Sequence, residues 1–242
     1  MNATLWLRPF LAPASCAACD RFLNAVGICA HCEEQLPFLS DQVCEQCALP
    51  FPTEAASPHR CAECLSHPPA FEKVTAVFEF AGPVVPLLHA VKFGRNLEAL
   101  RVLAASGAEL FARRVEIFRP DFLCPVPLPF FRRLVRGFNQ SYRLAGEWNR
   151  SLPRPLPLLS GIRRSWRAPQ ATQDRSRRLR ALKGTMRYLG KPLRGRRILI
   201  IDDVVTTGST AETLSGVLRR AGASCVEVFA LARVPREKRK QP

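Results

Sequence analysis

An α/β fold, with a parallel sheet flanked by helices behind a small cysteine-rich module, is predicted by three features of the sequence. Eight of the ten cysteines fall within the first 64 residues as CxxC pairs. From residue 71 onward, apolar runs of strand length alternate with segments of helical periodicity. One run, 198–201, reads ILII and is apolar on both faces, as a central strand covered by helices must be. The 242 residues suit one ordinary domain plus a small one. The expected division is a cysteine-rich module over 1–70 and an α/β domain over 71–242.

The pairs are Cys16/Cys19, Cys29/Cys32, Cys44/Cys47 and Cys61/Cys64. Each CxxC places two thiolates on a tight knuckle, and two knuckles supply the four tetrahedral sulfurs of a structural zinc site. Four pairs therefore make two sites. Sequential pairing leaves gaps of 9 and 13 residues inside the quartets and 11 between them, giving two ribbons in tandem. A crossed pairing, first with third and second with fourth, uses the same ligands. Sites closed by four sulfurs keep no position for water, so their work is to fold a segment that has few aliphatic runs. A disulfide framework belongs to exported proteins, and a redox CxxC occurs singly near a βαβ unit. Neither fits repeated pairs among Pro-rich turns. His31, His59 and His67 read as surface residues, since each site already has its four ligands.

The amino-terminal stretch lacks a basic n-region, and its apolar run is broken at Arg8 and Pro9, unlike a secretory signal. No run reaches the roughly 18 apolar residues of a membrane span. A cytoplasmic protein with reduced thiols and no membrane insertion is expected. Cys124 and Cys225 sit alone in apolar runs and read as packing residues.

Charge separates the two parts. The chain carries 36 Lys+Arg against 20 Asp+Glu, net +16. Residues 1–70 hold 3 basic and 7 acidic side chains, so 71–242 hold 33 and 13, net +20. The acidic module is a poor primary contact for nucleic acid, whereas the basic part suits an anionic ligand or polyanion.

Along the α/β part, 74–80 is β-branched and apolar, a strand, and 84–91 and 97–115 carry helical spacing. A short strand is expected at 121–126, then a loop rich in Arg and Gly and a helix over 141–148. The pattern dissolves over 160–197, where thirteen Lys/Arg meet one acid, Asp174. The strand 197–201 follows. A helix comes next, with Ala211, Leu214, Val217, Leu218 and Ala221 on one face and Gly222 closing it, and then a strand over 225–230.

Ligands of open α/β sheets bind beyond the carboxyl ends of the strands. That position here reads Asp202, Asp203, Val204, Val205, Thr206, Thr207, Gly208, Ser209, Thr210. A hydroxyl-rich loop with a glycine, feeding a helix N-terminus, offers N–H groups to a phosphate. The two acids would repel that phosphate, so they face sugar hydroxyls or a bridging metal. Cradle and acids together imply a phosphorylated sugar; capping alone needs one hydroxyl and no acid pair.

These residues carry a family resemblance. ILIIDDVVTTGST (198–210) resembles the phosphoribosyl diphosphate (PRPP) motif of the type I phosphoribosyltransferases. The four CxxC pairs, LLHAVKFGRN (87–96), PVPLPFFRRLVRGFNQSYRLA (125–145), ATQ (171–173) and the PRPP-like motif occur in the order of the ComF/GntX family. The resemblance covers nearly the whole chain. It implies a double zinc ribbon followed by a type I phosphoribosyltransferase-like sheet, and a role in natural competence, the uptake and processing of single-stranded DNA.

Carried over to this chain, the resemblance places Asp202 and Asp203 on the ribose hydroxyls and Thr206, Thr207, Gly208, Ser209 and Thr210 on the 5-phosphate. Arg132, Arg133 and Arg136 lie where the family has its pyrophosphate loop, and Lys92 is a further candidate for the diphosphate; a solvated helix-end lysine fits Lys92 equally well. Residues 163–186 correspond to a hood over the substrate, and Ala181 stands where the family carries Asn. The implied cofactors are zinc in both four-cysteine sites and magnesium with PRPP. The implied partners are a phosphoribosyl ligand, single-stranded DNA and a DNA-processing helicase. The implied reaction is displacement of pyrophosphate from C1 of PRPP by a nitrogen nucleophile, which magnesium and arginines would assist by neutralising the leaving diphosphate. Thr206 replaces the acid that serves the base in hypoxanthine-type enzymes, which disfavours a 6-oxopurine acceptor.

A reading of another class uses the same residues: a non-catalytic competence factor that binds single-stranded DNA. Its support is the net +20 with Phe130, Phe131, Phe138 and Trp166 available for stacking. The basic run 233–240 either assists such contact or is a solvated tail.

Overall fold

A computed structural model describes residues 15–24, 27–51, 59–94, 96–129, 134, 137–165, 182 and 184–236. Six strands are described: β1 (Val74–Glu79), β2 (Phe122–Pro125), β3 (Ile162–Arg164), β4 (Met186–Tyr188), β5 (Arg197–Val205) and β6 (Cys225–Arg233). The helices are α1 (Ala30–Glu34), α2 (Ala62–Ser66), α3 (Val84–Phe93), α4 (Leu97–Ser106), α5 (Ala108–Phe118), α6 (Gln140–Arg150) and α7 (Ser209–Arg220).

The main sheet has the order β1-β6-β5-β2 and every pairing is parallel. Ile198, Leu199, Ile200 and Ile201 are all buried, as an interior strand with helices on both faces requires. One face of the sheet packs with α3 to α6 around Leu87, Leu103, Phe111, Trp148 and Phe229. Trp148 stacks on Phe111 and meets Phe229 edge-on, and its indole N–H donates to the Ala104 carbonyl at 2.9 Å, so its one polar atom is satisfied. The other face packs with α7 and with Cys44, Cys47, Cys61 and Cys64.

Three elements differ from the sequence expectation. The helix expected over 97–115 is two helices, α4 and α5, meeting at Gly107. A Cβ at Gly107 would stand 2.6 Å from Val77 Cγ2, so the chain turns where the helix backbone presses on β1. The central strand runs on to Val205, so Asp202 and Asp203 lie within it and not after it. Finally, β6 runs to Arg233, which is 1% exposed. The expected basic tail therefore does not begin at 233, because that arginine closes a buried strand; residues 237–242 lie outside the described residues.

The Arg-rich stretch contains a two-stranded antiparallel ribbon, β3 with β4. Trp166, ATQ at 171–173 and Ala181 of the expected hood lie outside the described residues. Cys124 is fully buried and Cys225 half-buried, and burial pushes the Cys124 thiol up to about 12, leaving it an inert packing group. Among the described residues, no helix is long and apolar enough to cross a membrane.

Candidate functional site

The two cysteine quartets assemble sequentially: Cys16, Cys19, Cys29 and Cys32 form one cluster and Cys44, Cys47, Cys61 and Cys64 the other, with the sulfurs of each within 4.8 Å of one another. The crossed pairing is thereby excluded. Each cluster is built alike. The first CxxC sits on a knuckle that turns through a left-handed residue, Asp20 (φ 59°) or Ala48 (φ 53°), whose N–H returns to the Cys16 or Cys44 carbonyl. The second CxxC opens a short helix, and its first cysteine donates its N–H to a sulfur of the knuckle, Cys29 to Cys16 at 3.3 Å and Cys61 to Cys44 at 3.2 Å. Four convergent sulfurs with N–H donors aimed at them suit a thiolate-bound zinc, because such donors stabilise charge on sulfur. His31, His59 and His67 are exposed, and none joins either cluster.

At the carboxyl end of β5, burial and the Asp203 carboxylate hold Asp202 well above the usual carboxylate range. Burial acts on Asp203 too, but the Lys92 ammonium outweighs it and holds Asp203 below that range. Lys92 Nζ, from the last turn of α3, lies 2.9 Å from Asp203 Oδ2 with both side chains largely covered. Lys92 is therefore neither a solvated lysine nor aimed at open space. It is the counter-charge of the acid pair. Ser141, at the start of α6, donates from Oγ to Asp202 Oδ1 at 3.3 Å. Sequence reasoning missed Ser141, since it and Asp202 are 61 residues apart and no local pattern joins them.

Beyond the acids the chain makes a left-handed turn at Gly208 (φ 79°), a conformation that favours glycine, and enters α7 at Ser209. The Thr207 and Ser209 hydroxyls lie 2.8 Å apart and both residues are buried, whereas Thr206 is exposed and Thr210 partly so. The loop thus ends in a twelve-residue helix whose first-turn N–H groups have no intrahelical acceptor. Its carbonyl side is held by Arg233. That guanidinium donates through Nη1 to the Val205 carbonyl at 2.9 Å and to the Thr206 carbonyl, and through Nε to the Cys47 carbonyl at 2.7 Å.

Next to this loop, Asn139 caps α6 and donates from Nδ2 to the Val126 carbonyl at 2.9 Å, fixing both ends of the segment after β2. Arg132, Arg133 and Arg136 of that segment lie outside the described residues. A groove of about 1000 Å³ opens beside it, lined among others by Phe138, Tyr142, Arg143, Arg150, Arg163 and Arg164.

Comparison with known proteins fits this architecture. Residues 7–65 match the double zinc ribbon domain and residues 128–241 the phosphoribosyl transferase domain. The chain is 36% identical over 210 residues to the DNA utilization protein YhgH of Escherichia coli (strain K12), covering 86% of this chain and 90% of that protein. It belongs to the ComF family. Another ComF relative, the DNA utilization protein YhgH of Salmonella typhimurium, is 33% identical over 229 residues, covering 87% of this chain and 92% of that one. Competence protein F of Haemophilus influenzae is 25% identical over 227 residues, covering 90% of each chain. The ComF chain described here accordingly has two four-cysteine zinc-binding sites and a phosphoribosyltransferase-type sheet.

Proposed function

We propose that this ComF protein binds PRPP or a closely related phosphoribosyl ligand with magnesium at the β5–α7 junction, and acts in the cytoplasm in DNA uptake or processing. The observation that carries the reading is the junction itself: two adjacent carboxylates at the end of the central strand, then a glycine turn into a helix N-terminus. Asp202 and Asp203 would receive the ribose hydroxyls. Each hydroxyl donates to a carboxylate oxygen, which favours the ionised form of Asp202 against its burial. Thr206, Thr207, Gly208, Ser209 and Thr210 would hold the 5-phosphate through N–H and hydroxyl donors. Magnesium, when bound with the ligand, would neutralise the diphosphate. Lys92 would keep Asp203 charged, and Arg132, Arg133 and Arg136 remain candidates for the diphosphate.

Calorimetric titration with PRPP and magnesium tests the reading. Saturable binding that is lost in the Asp202→Asn plus Asp203→Asn double variant is expected; the same affinity in native and variant chains would remove the site assignment.

The groove beside α6 favours a second reading, single-stranded DNA binding by the same domain. Four arginines face one acid, Glu147, with Tyr142 and Phe138 placed to stack on bases. Affinity for an oligonucleotide should fall steeply between two salt concentrations if several phosphates are neutralised. PRPP affinity should respond mainly to magnesium.

A further inference from the structure

Arg233 stands between two parts of the molecule that its sequence position does not connect. It closes β6, and its side chain is buried. All four acceptors of its described hydrogen bonds are backbone carbonyls: Cys47 at 2.7 Å, Val205 at 2.9 Å, Val234 at 3.2 Å, and Thr206. A buried guanidinium needs opposite charge nearby as well as acceptors. Burial holds Arg233 below the usual guanidinium range, and Cys47 and Cys61 of the second cluster, with Glu63 between the ligands of its helix, act against that burial. A zinc ion held by four thiolates leaves that cluster two net negative charges, which suits this partner.

Peptide geometry determines what the carbonyl contacts do. In a planar trans peptide the C=O and the following N–H point in opposite directions. The Val205 carbonyl, which also accepts from Val234 N–H at 3.0 Å, and the Thr206 carbonyl both face the guanidinium, so the N–H groups of Thr206 and Thr207 turn away from it, as an anion-binding nest requires. The same guanidinium's Nε is tied to Cys47, a ligand of the second zinc site. Phe71 lies next to the Gly208 turn, where a Cβ added at Gly208 would meet its Cζ at 4.0 Å, and the Phe71 carbonyl accepts from Gln46 Nε2 of the same knuckle at 3.1 Å.

We propose that Arg233 is the positioning residue of the loop at 206–210 and links it to the second zinc site, so that metal loading at Cys44, Cys47, Cys61 and Cys64 and anion binding strengthen each other. This rests on the loop being the phosphate site. Coupling of this kind is reciprocal and is typically about 5–150-fold in affinity.

The test uses the full chain with both sites exchanged to cadmium-113, whose resonances separate the two clusters; a Cys29→Ser chain assigns the first. Titration with inorganic phosphate, and separately with PRPP and magnesium, should move the second-site resonance and leave the first in place. Arg233→Gln should retain both cadmium ions, lose the ligand-induced shift and bind PRPP about tenfold or more weakly. Arg233→Lys, which keeps the charge but not the fork, should recover part of the affinity. Native chain that binds PRPP without moving the second resonance, or Arg233→Gln that binds like native, would overturn the coupling alone. Native chain that binds neither ligand would overturn the phosphate-site reading and the coupling with it. If Arg233→Gln fails to fold, the native titration still decides.

Discussion

The two cysteine clusters share a knuckle, a left-handed residue, a short helix and an N–H···S bond, yet they are embedded differently. Cys16, Cys29 and Cys32 form a small cluster of their own with Ala18, Leu23 and Ile28 packed on it, Ala18 and Ile28 also touching the helix-covered core, and Cys19 is exposed. Cys44, Cys47, Cys61 and Cys64 are all buried in one apolar cluster with Val74, Ile198, Ile200, Val228 and Ala230 of the sheet. Hydrogen bonds reinforce the second arrangement: Val74 N–H donates to the Gln46 carbonyl at 2.7 Å and Arg233 to Cys47. The same ligand geometry therefore serves as a local staple in one place and as part of the domain core in the other. What a zinc site stabilises is set by its neighbours more than by its ligands.

That contrast can be broken most directly at the second site. Cys61→Ser should lower the thermal midpoint of the whole chain by about 10 °C or more, read by near-ultraviolet dichroism, since a structural zinc supplies several kcal/mol and about 1 kcal/mol moves a domain of this size by roughly 2–4 °C. Cys29→Ser at the first site should remove one of two zinc ions by elemental analysis. It should lower the midpoint by about half as much or less and leave PRPP affinity within about twofold. Equal damage from both variants would erase the distinction.

Asp202→Asn probes the loop without touching either cluster. Because the folded pKa of Asp202 is raised, its carboxyl costs no stability below its unfolded pKa of about 4, and the cost grows as pH rises through the folded value. Asp203 has the opposite sign: its pairing with Lys92 stabilises above that pH and is lost as pH falls through its depressed value. Asp202→Asn should therefore raise the midpoint at neutral pH by about 2–4 °C, keep two zinc ions and lose PRPP binding. A lower midpoint would show that the acid is structurally needed. The smallest effect is expected at His67, which is exposed and outside both clusters. His67→Ala should leave zinc content at two and the midpoint within about 1 °C.

Much of this architecture is legible in the sequence. Cysteine spacing announces metal sites because ligand geometry is local, and an unbroken apolar strand followed by a glycine turn and a helical stripe announces the parallel sheet. Long-range contacts were not readable. Arg233 in a basic run looks like tail, and only the sheet shows that it ends a buried strand. Lys92 and Ser141 meet the acid pair across 111 and 61 residues of chain, and no periodicity encodes such a meeting. Gly107 interrupts a helix whose apolar spacing continues through it, because the cause of the break is Val77 on another element.

Strand order has a consequence for synthesis. β6 lies between β1 and β5, and Val74 of β1 takes as partner Val228, made 154 residues later. A chain growing from its N-terminus can assemble both metal knuckles early, from short-range contacts, but β1 and the inner edge of β5 must wait unpaired until β6 is made. Arg233 is the last residue of that inserted strand. The loop at 206–210 is thus fastened from behind only once β6 is in place, so a nascent or truncated chain can assemble its cysteine clusters long before that loop is held.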